Sequence, residues 1–272
     1  MVAPVLRPYQ QDMLTRIDAE IAAGRRRICG VLPTGGGKAV LAAAMIDQAV
    51  GRGERVVFVD HRHELTDQAS QKLHAFGVDH GIVQAGFPSR PLAHTQVCSV
   101  QTLHARAVRT RTIELPPADV LHIDEAHHAR ARTYETLITR YPRAIIIGWT
   151  ATPCRADGRG LGNIFEALVE GPSVAELTAL RFLVPVKIFA PVRPDLSGIR
   201  VQRGDYVESE LAARVNTAQL VGNIVEHWHR LGEGRRTIVF TVNVAHSVDI
   251  RHEFLRSGVV AEHIADSDEV AR

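Results

Sequence analysis

Apolar positions along this chain follow two periods, and the alternation between them sets the expected architecture. Met13, Leu14, Ile17 and Ile21 recur at helical spacing. Pro8 suits a first helical turn and Gly24 is a natural stop, so the spacing predicts a helix over residues 8–23. Short apolar runs then alternate with helical patterns. Residues 28–32 read as a strand that leads through a glycine-rich turn into a helix over 39–50, and residues 55–59 as a strand leading into a helix from about 64 to 76. Residues 81–83 and 97–100 are short apolar segments, and 120–123 and 144–147 are clearer strands. Strands separated by helices need crossover connections, which predicts a parallel sheet covered on both faces. Residues 1–183 therefore form a doubly wound α/β domain.

The pattern changes after residue 183. Residues 184–194 read as a strand crossing between lobes, followed by a loop rich in Gly, Asp and Arg. A helix over 217–231, a strand over 237–241, a helix over 244–256 and a strand near 260–264 then open a second α/β lobe, residues 184–272. Three plausible strands, against about twice as many in the first lobe, leave an unpaired edge and an uncovered apolar face. The chain has no internal repeat at solenoid spacing and no low-complexity segment.

Composition adds boundaries. With 272 residues and 45% hydrophobic content the chain can bury a sizeable core and has the length of roughly two domains. No apolar run reaches the ~20 residues that cross a bilayer, and the first residues, with Pro4, Arg7 and Pro8, lack a secretory apolar region. A cytoplasmic protein with no membrane partner is expected. Cys29, Cys98 and Cys154 are odd in number and far apart, which fits free thiols better than a disulfide framework or a zinc site. The net charge of +2 says little about partners. Lysine occurs only at Lys38, Lys72 and Lys187, so the positive charge is nearly all arginine, the better side chain for forked phosphate contacts. A composition favouring Arg and Ala accounts for this more simply.

Chemistry enters with Pro33-Thr34-Gly35-Gly36-Gly37-Lys38. Successive glycines between a buried strand and a helix let backbone N–H groups point at an anion, and the lysine adds charge for β- and γ-phosphates. Far downstream, Asp124-Glu125-Ala126-His127 ends the apolar stretch Val120-Leu121-His122-Ile123. A phosphate-wrapping turn followed by an acidic pair on a strand end is the minimal equipment for ATP hydrolysis. Capping of the next helix is the plainer explanation for the carboxylates; the lysine turn upstream weighs against it. His122, His127 and His128 lack the i, i+4 spacing that puts two metal ligands on one helical face.

With Thr150-Ala151-Thr152-Pro153 following in order, these segments resemble the ATP-dependent helicases and translocases of superfamily 2, in particular the DEAH-box branch of prokaryotic, phage and restriction-type enzymes. The resemblance implies a RecA-like P-loop fold, with residues 1–183 as the ATP-binding lobe and 184–272 as an incomplete second lobe. It implies that Pro33, Thr34, Gly35, Gly36, Gly37, Lys38 and Ala39 bind the phosphates, that Asp124 holds Mg2+, usually through water, and that Glu125 orients and deprotonates the attacking water. His127 would couple that site to Thr150 and Thr152. Leu6-Arg7-Pro8-Tyr9-Gln10 resembles the adenine-recognition element, giving Gln10 and, less directly, Arg7. Segments 61–68 and 101–103 resemble those that grip a nucleic-acid backbone, giving Arg62, Gln101 and Thr102; Arg106, Arg109 and Arg111 extend that track or form a solvated helix face. The match continues through Leu161, Gly162 and Phe165, and Thr237-Ile238-Val239-Phe240-Thr241 with Asn243 and His246 resembles the opening of the second lobe.

Two departures matter. The family's hydroxyl on magnesium is replaced by Ala39, a loss of roughly 1.5–3 kcal/mol for a hydrogen bond to a charged group, or about ten- to a hundredfold in rate. Residues 261–272 supply neither of the family's last two motifs, including the arginine that reaches the γ-phosphate. A protein partner or a second copy would have to bring them, and weak turnover by this chain alone is expected. The sequence thus points to an ATP-hydrolysing helicase or translocase using ATP and Mg2+ on DNA, with RNA the other candidate. A catalytically impaired nucleotide- and nucleic-acid-binding remnant is the rival reading, and a small-molecule kinase is disfavoured by Thr150-Ala151-Thr152-Pro153.

Overall fold

Residues 56–60, 95–99 and 120–123 are buried at every position, a pattern that suits only strands covered on both faces. The computed structural model describes residues 4–60, 63–88, 90–129, 132–153, 160–189, 194–202 and 205–264. The chain divides into two compact units, Met1–Pro185 and Val186–Arg272.

The first unit runs α1 (Pro8–Ala22), β1 (Arg27–Val31), α2 (Lys38–Gly51), β2 (Val56–Asp60), α3 (His63–Ala75), β3 (His80–Val83), β4 (Thr95–Ser99), α4 (Val100–Leu103), β5 (Val120–Ile123), α5 (Arg132–Arg140), β6 (Ile145–Thr150), β7 (Ala167–Glu170) and α6 (Val174–Ala179). A π-helical turn, His104–Arg109, prolongs α4, and a 3-10 turn, Ala126–His128, follows β5. The seven strands form one sheet in the order β3-β4-β2-β5-β6-β1-β7, and every pairing is parallel. This is the RecA-like α/β arrangement that the sequence led us to expect.

Alternation along the strands sorts the core into two layers. Ile28, Val56, Phe58, Ile147 and Trp149 pack with α1, α2 and α3, while Cys29, Val57, Val59, Leu121, Ile123 and Ile146 pack with α5 and residues 161–165. Gly30 is required by this packing. A Cβ there would lie 2.6 Å from the Trp149 ring, so the indole lies directly against the backbone of β1. Register sets the positions of the strand ends: Val31 pairs with Thr150, and Ile123 with Gly148. The carboxyl ends of β1, β5 and β6 are thus neighbours, and the crevice outside such ends is where open α/β sheets bind ligands.

The second unit holds the hairpin β8 (Val201–Gln202) and β9 (Asp205–Tyr206), then α7 (Glu208–Val215), α8 (Ala218–Leu231) and α9 (Val244–Arg256). The two longer helices are capped by Thr217 and Asn243, whose side chains accept from Leu220 N–H and His246 N–H. Its buried cluster among the described residues is Val221, Val225, Ile250 and Phe254. Here the sequence reading needs correction. Residues 184–189, 237–241 and 260–264 form no strand ladder, because an apolar run becomes a strand only when its N–H and C=O groups find a partner. Among the described residues no helix is long and apolar enough to cross a membrane.

Candidate nucleotide site

β1 delivers the chain to Leu32, which is fully buried, and Gly35 and Gly37 then take positive φ values of 80° and 93°. Gly37 caps α2, its carbonyl accepting from Val40 N–H and Leu41 N–H at 3.0 and 3.1 Å. Gly36 N–H donates to Pro33 O at 3.0 Å, and the turn ends at the N-terminus of α2, where an anion is favoured. Lys38 is folded back, its Nζ donating to Leu32 O at 3.2 Å. Ala39 lies exposed in the first turn of α2 and brings no hydroxyl.

The turn is braced from α1. Tyr9 Oη donates to Gly36 O at 2.7 Å, and Gln10 Nε2 donates to the same carbonyl at 3.3 Å. Gln10 Oε1 accepts from Arg7 N–H at 2.9 Å, so both ends of this buried amide are spent inside the chain. Arg7 places its guanidinium 4.7 Å from the Phe182 ring and donates to Tyr9 Oη at 3.1 Å. Phe182 meets Tyr9 edge to face at 5.3 Å. Tyr9 and Phe182 were missed as candidates. Tyr9 stands inside the adenine-like segment and could have been read there; Phe182 carries no local signal.

β5 supplies the acidic pair. Asp124 N–H donates to Val59 O at 2.9 Å, tying the end of β5 to β2. Glu125 then adopts φ 48°, ψ 53°, a left-handed conformation that costs an ordinary residue roughly 1–3 kcal/mol. The turn aims two adjacent carboxylates differently. Asp124 Oδ1 accepts from Glu125 N–H at 2.9 Å. Burial pushes the Asp124 carboxyl above its usual range; Glu125 also raises it, while the Glu125 N–H, Lys38 and His127 act the other way. The Lys38 ammonium therefore lies within electrostatic reach of Asp124.

β6 closes the network. Leu32 N–H donates to Thr150 O at 2.9 Å. Thr150 Oγ1, fully buried, donates to Thr152 O at 3.0 Å and accepts from Thr152 N–H at 3.1 Å. Because that hydroxyl proton is spent, His127 Nδ1 is the donor across the 3.1 Å to Thr150 Oγ1, and it also lies 3.3 Å from Glu125 Oε2. Lys38, Leu32, Thr150, His127 and Glu125 thus form one connected cluster over three strand ends.

The other sequence candidates lie elsewhere. Gln101 is exposed, with its Oε1 accepting from Ser99 Oγ at 2.9 Å, and Thr102 is half-buried beside it. Arg62 lies outside the described residues, as does Cys154, whereas Cys29 and Cys98 are buried free thiols. His246 belongs to the second unit, where it is buried at the start of α9; burial depresses its pKa, and its Nδ1 accepts from Val242 N–H at 3.5 Å.

Residues 3–155, more than half of the chain, match the family described as Type III restriction enzyme, res subunit (ResIII). The chain belongs to the ResIII family. Its likeness to the superfamily 2 helicases, expected from the motifs, is thereby met. Over an alignment of 292 positions, gaps included, this ResIII chain is 28% identical to a Saccharomyces cerevisiae protein named as an ATP-dependent helicase, IRC3, covering 99% of the chain and 42% of the yeast protein. The fold is similar to that of the Hef helicase domain of Pyrococcus furiosus (TM-score 0.53, 18% identity, 93% of this chain and 55% of that one). It is also similar to a nuclease-deletion mutant of the Type ISP restriction-modification enzyme LlaGI, solved in complex with a DNA substrate mimic (TM-score 0.51, 12% identity, 85% and 23%). The ResIII chain spans less than half the length of the curated relatives it matches.

Proposed function

We propose that this chain is the nucleotide-handling part of an ATP-dependent helicase or translocase that moves on DNA. The observation that carries the reading is the connected cluster at the ends of β1, β5 and β6, in which a chain of polar contacts links the lysine turn to Glu125 of the acidic pair. Membership of the ResIII family and the likeness to a protein named as an ATP-dependent helicase support it; the fold shared with a restriction enzyme seen on a DNA mimic favours DNA over RNA.

In this reading the N–H groups of Gly35, Gly37 and Lys38 wrap the β-phosphate, while Gly36 N–H stays on Pro33 O, and Lys38 leaves Leu32 O to meet the γ-phosphate. Glu125 takes the proton of the attacking water on Oε1, since Oε2 faces His127 Nδ1. His127 and Thr150 hold Glu125 in place, and the segment from Thr150 to Thr152 carries the state of the site away from it. Phosphoryl transfer of this kind needs positioning and charge neutralisation more than covalent help. The donor set fits Mg2+: Asp124 is a hard oxygen ligand, and its second carboxylate oxygen accepts no hydrogen bond among the described residues. Bound there, the ion would neutralise charge on the phosphates; Ala39 brings it no hydroxyl, so water would take that ligand position. Arg7, Tyr9 and Phe182 offer cation and ring faces for adenine, and Gln10 would exchange an internal partner to pair with the base. Arg62, Gln101 and Thr102 are the backbone contacts in this reading.

The test is binding of a fluorescent ATP analogue, with and without DNA and RNA at low salt, where phosphate contacts are strongest. Lys38→Ala should weaken binding about ten- to a hundredfold, the equivalent of losing one hydrogen bond to a charged group. Unchanged affinity with the fold intact would remove the assignment.

A further inference from the structure

The buried phenol oxygen of Tyr9, in the first turn of α1, is used twice. It accepts from Arg7 Nη1 at 3.1 Å and donates its single proton to Gly36 O at 2.7 Å. Gln10 Nε2 donates to the same carbonyl at 3.3 Å, and the bond from Arg7 N–H to Gln10 Oε1 at 2.9 Å holds that amide in place. Two side chains of one helix therefore converge on one carbonyl of the lysine turn. The consequence falls on the next residue. Gly36 C=O and Gly37 N–H belong to one planar trans peptide unit, in which they point in opposite directions. With Gly36 O held toward α1, Gly37 N–H is turned away from it. The α1 side is also filled, since a Cβ on Gly37 would lie 2.3 Å from Gln10 Nε2. Gly37 N–H makes no hydrogen bond among the described residues, and Gly37 caps α2, whose N-terminus favours an anion.

We propose that Tyr9 is a positioning residue for the phosphate-binding turn: its hydroxyl, by holding Gly36 O, aims Gly37 N–H at a phosphate before the nucleotide arrives. The proposal rests on the nucleotide reading above. A peptide unit between two glycines is the least restrained by its own side chains, so its direction has to be set from outside. A donor fixed in advance needs no reorganisation when the anion binds. Arg7 adds to the effect, because a cation donating to the phenol oxygen makes the phenol proton a stronger donor. Gln10 exchanges a partner if it pairs with the base, which leaves Tyr9 as the clamp that stays. The ring of Tyr9 and its hydroxyl thus have separate tasks, and the hydroxyl acts on the phosphate end through Gly36 without touching the ligand.

Tyr9→Phe keeps the ring and removes only the hydroxyl. Tripolyphosphate, which brings no base, is titrated into the whole chain and followed on the Gly37 amide proton by NMR; adenosine, which brings no phosphate, is titrated in parallel. The variant should bind tripolyphosphate about three- to tenfold more weakly, the equivalent of one ordinary hydrogen bond, and adenosine no differently from the parent. Equal tripolyphosphate affinity would overturn the proposal, as would an equal loss for both ligands, which marks a merely structural role. If thermal melting shows that Tyr9→Phe does not fold, Gln10→Leu, which removes the second donor to the same carbonyl, decides in its place: a weaker grip on tripolyphosphate supports the clamp and an unchanged one overturns it. Lys38→Ala run alongside separates the two levels. If the parent and Lys38→Ala bind tripolyphosphate alike, the nucleotide reading fails and takes this proposal with it; if Lys38→Ala loses binding while Tyr9→Phe does not, only the proposal falls.

Discussion

In the first unit each strand from β1 to β7 finds its neighbours and both faces of the sheet are covered, whereas the most strand-like sequences of the second unit pair with nothing among the described residues. Ile238, Phe240 and Val260 are 81%, 92% and 89% exposed, while Val56, Val57 and Val97 are fully buried. The residue types are the same in both places. What differs is the ladder. A β-branched or aromatic run fits a pleated, half-buried surface, and without an adjacent strand that surface does not exist. The consequence is a difference in where stability resides: the first unit should hold nearly all of it, and substitutions there should be costly.

The largest effect should come from Trp149→Ala. The indole is 1% exposed, lies against Gly30 and donates to His122 Nδ1 at 3.1 Å. Removing it opens a cavity between β1 and α2 and should cost about 3–5 kcal/mol. Urea unfolding followed by amide exchange in β1, β5 and β6 checks this. A loss below about 1 kcal/mol would mean that the sheet repacks and the contrast between the units is weaker than the burial implies.

Acid should act next, through His122. Its imidazole lies between Phe58 and Trp149, with ring centroids 6.4 and 6.3 Å away, and accepts from Trp149 Nε1, so the neutral ring carries its proton on Nε2. Burial pushes its pKa down to about 3. The folded value lies below the unfolded one, ~6.5, so the unfolded state binds the proton more tightly. The contribution to stability is complete above about pH 6.5 and is lost as pH falls toward 3, with a slope of up to ~1.4 kcal/mol per pH unit. Between pH 6.5 and 5 the first unit should lose about 2 kcal/mol. His122→Phe should flatten that slope, and a native His122 NMR signal that titrates near pH 6.5 would contradict the account.

Much of this could be read from the sequence, and the parts that could not share a cause. The helix over 8–22, the strands from 27, 56, 120 and 145, the lysine turn and the acidic pair all announce themselves in local patterns. β7 does not: Ala167-Leu168-Val169-Glu170 is short, and only its pairing with β1 makes it a strand. The hairpin Val201–Tyr206 and the π-helical turn after α4 are likewise decided by backbone partners. In the site, periodicity gives no hint that Gln10 and Tyr9 both donate to Gly36 O, or that Phe182 receives Arg7. Each of these contacts joins positions distant in sequence, and a single sequence records local preference far better than distant partnership.

The smallest effect, and the sharpest test of the comparison, belongs to Phe240→Ala. By residue type this should be as damaging as Trp149→Ala, since truncating a buried aromatic costs about 3–5 kcal/mol. By position it should cost almost nothing. The ring is 92% exposed, and residues 237–241 border an open groove of about 710 Å3 whose other wall includes residues 259–262. Little of the ring's area leaves water on folding, so little transfer free energy is at stake. The expected change is within about 0.5 kcal/mol, the range of ordinary surface substitutions. Amide exchange should agree, with residues 237–241 exchanging far faster than β5. A cost above about 1 kcal/mol, or slow exchange across this segment, would show that Phe240 is packed in solution. Residues 237–241 would then have found the ladder they lack here, and the two units would differ in degree where the structure has them differ in kind.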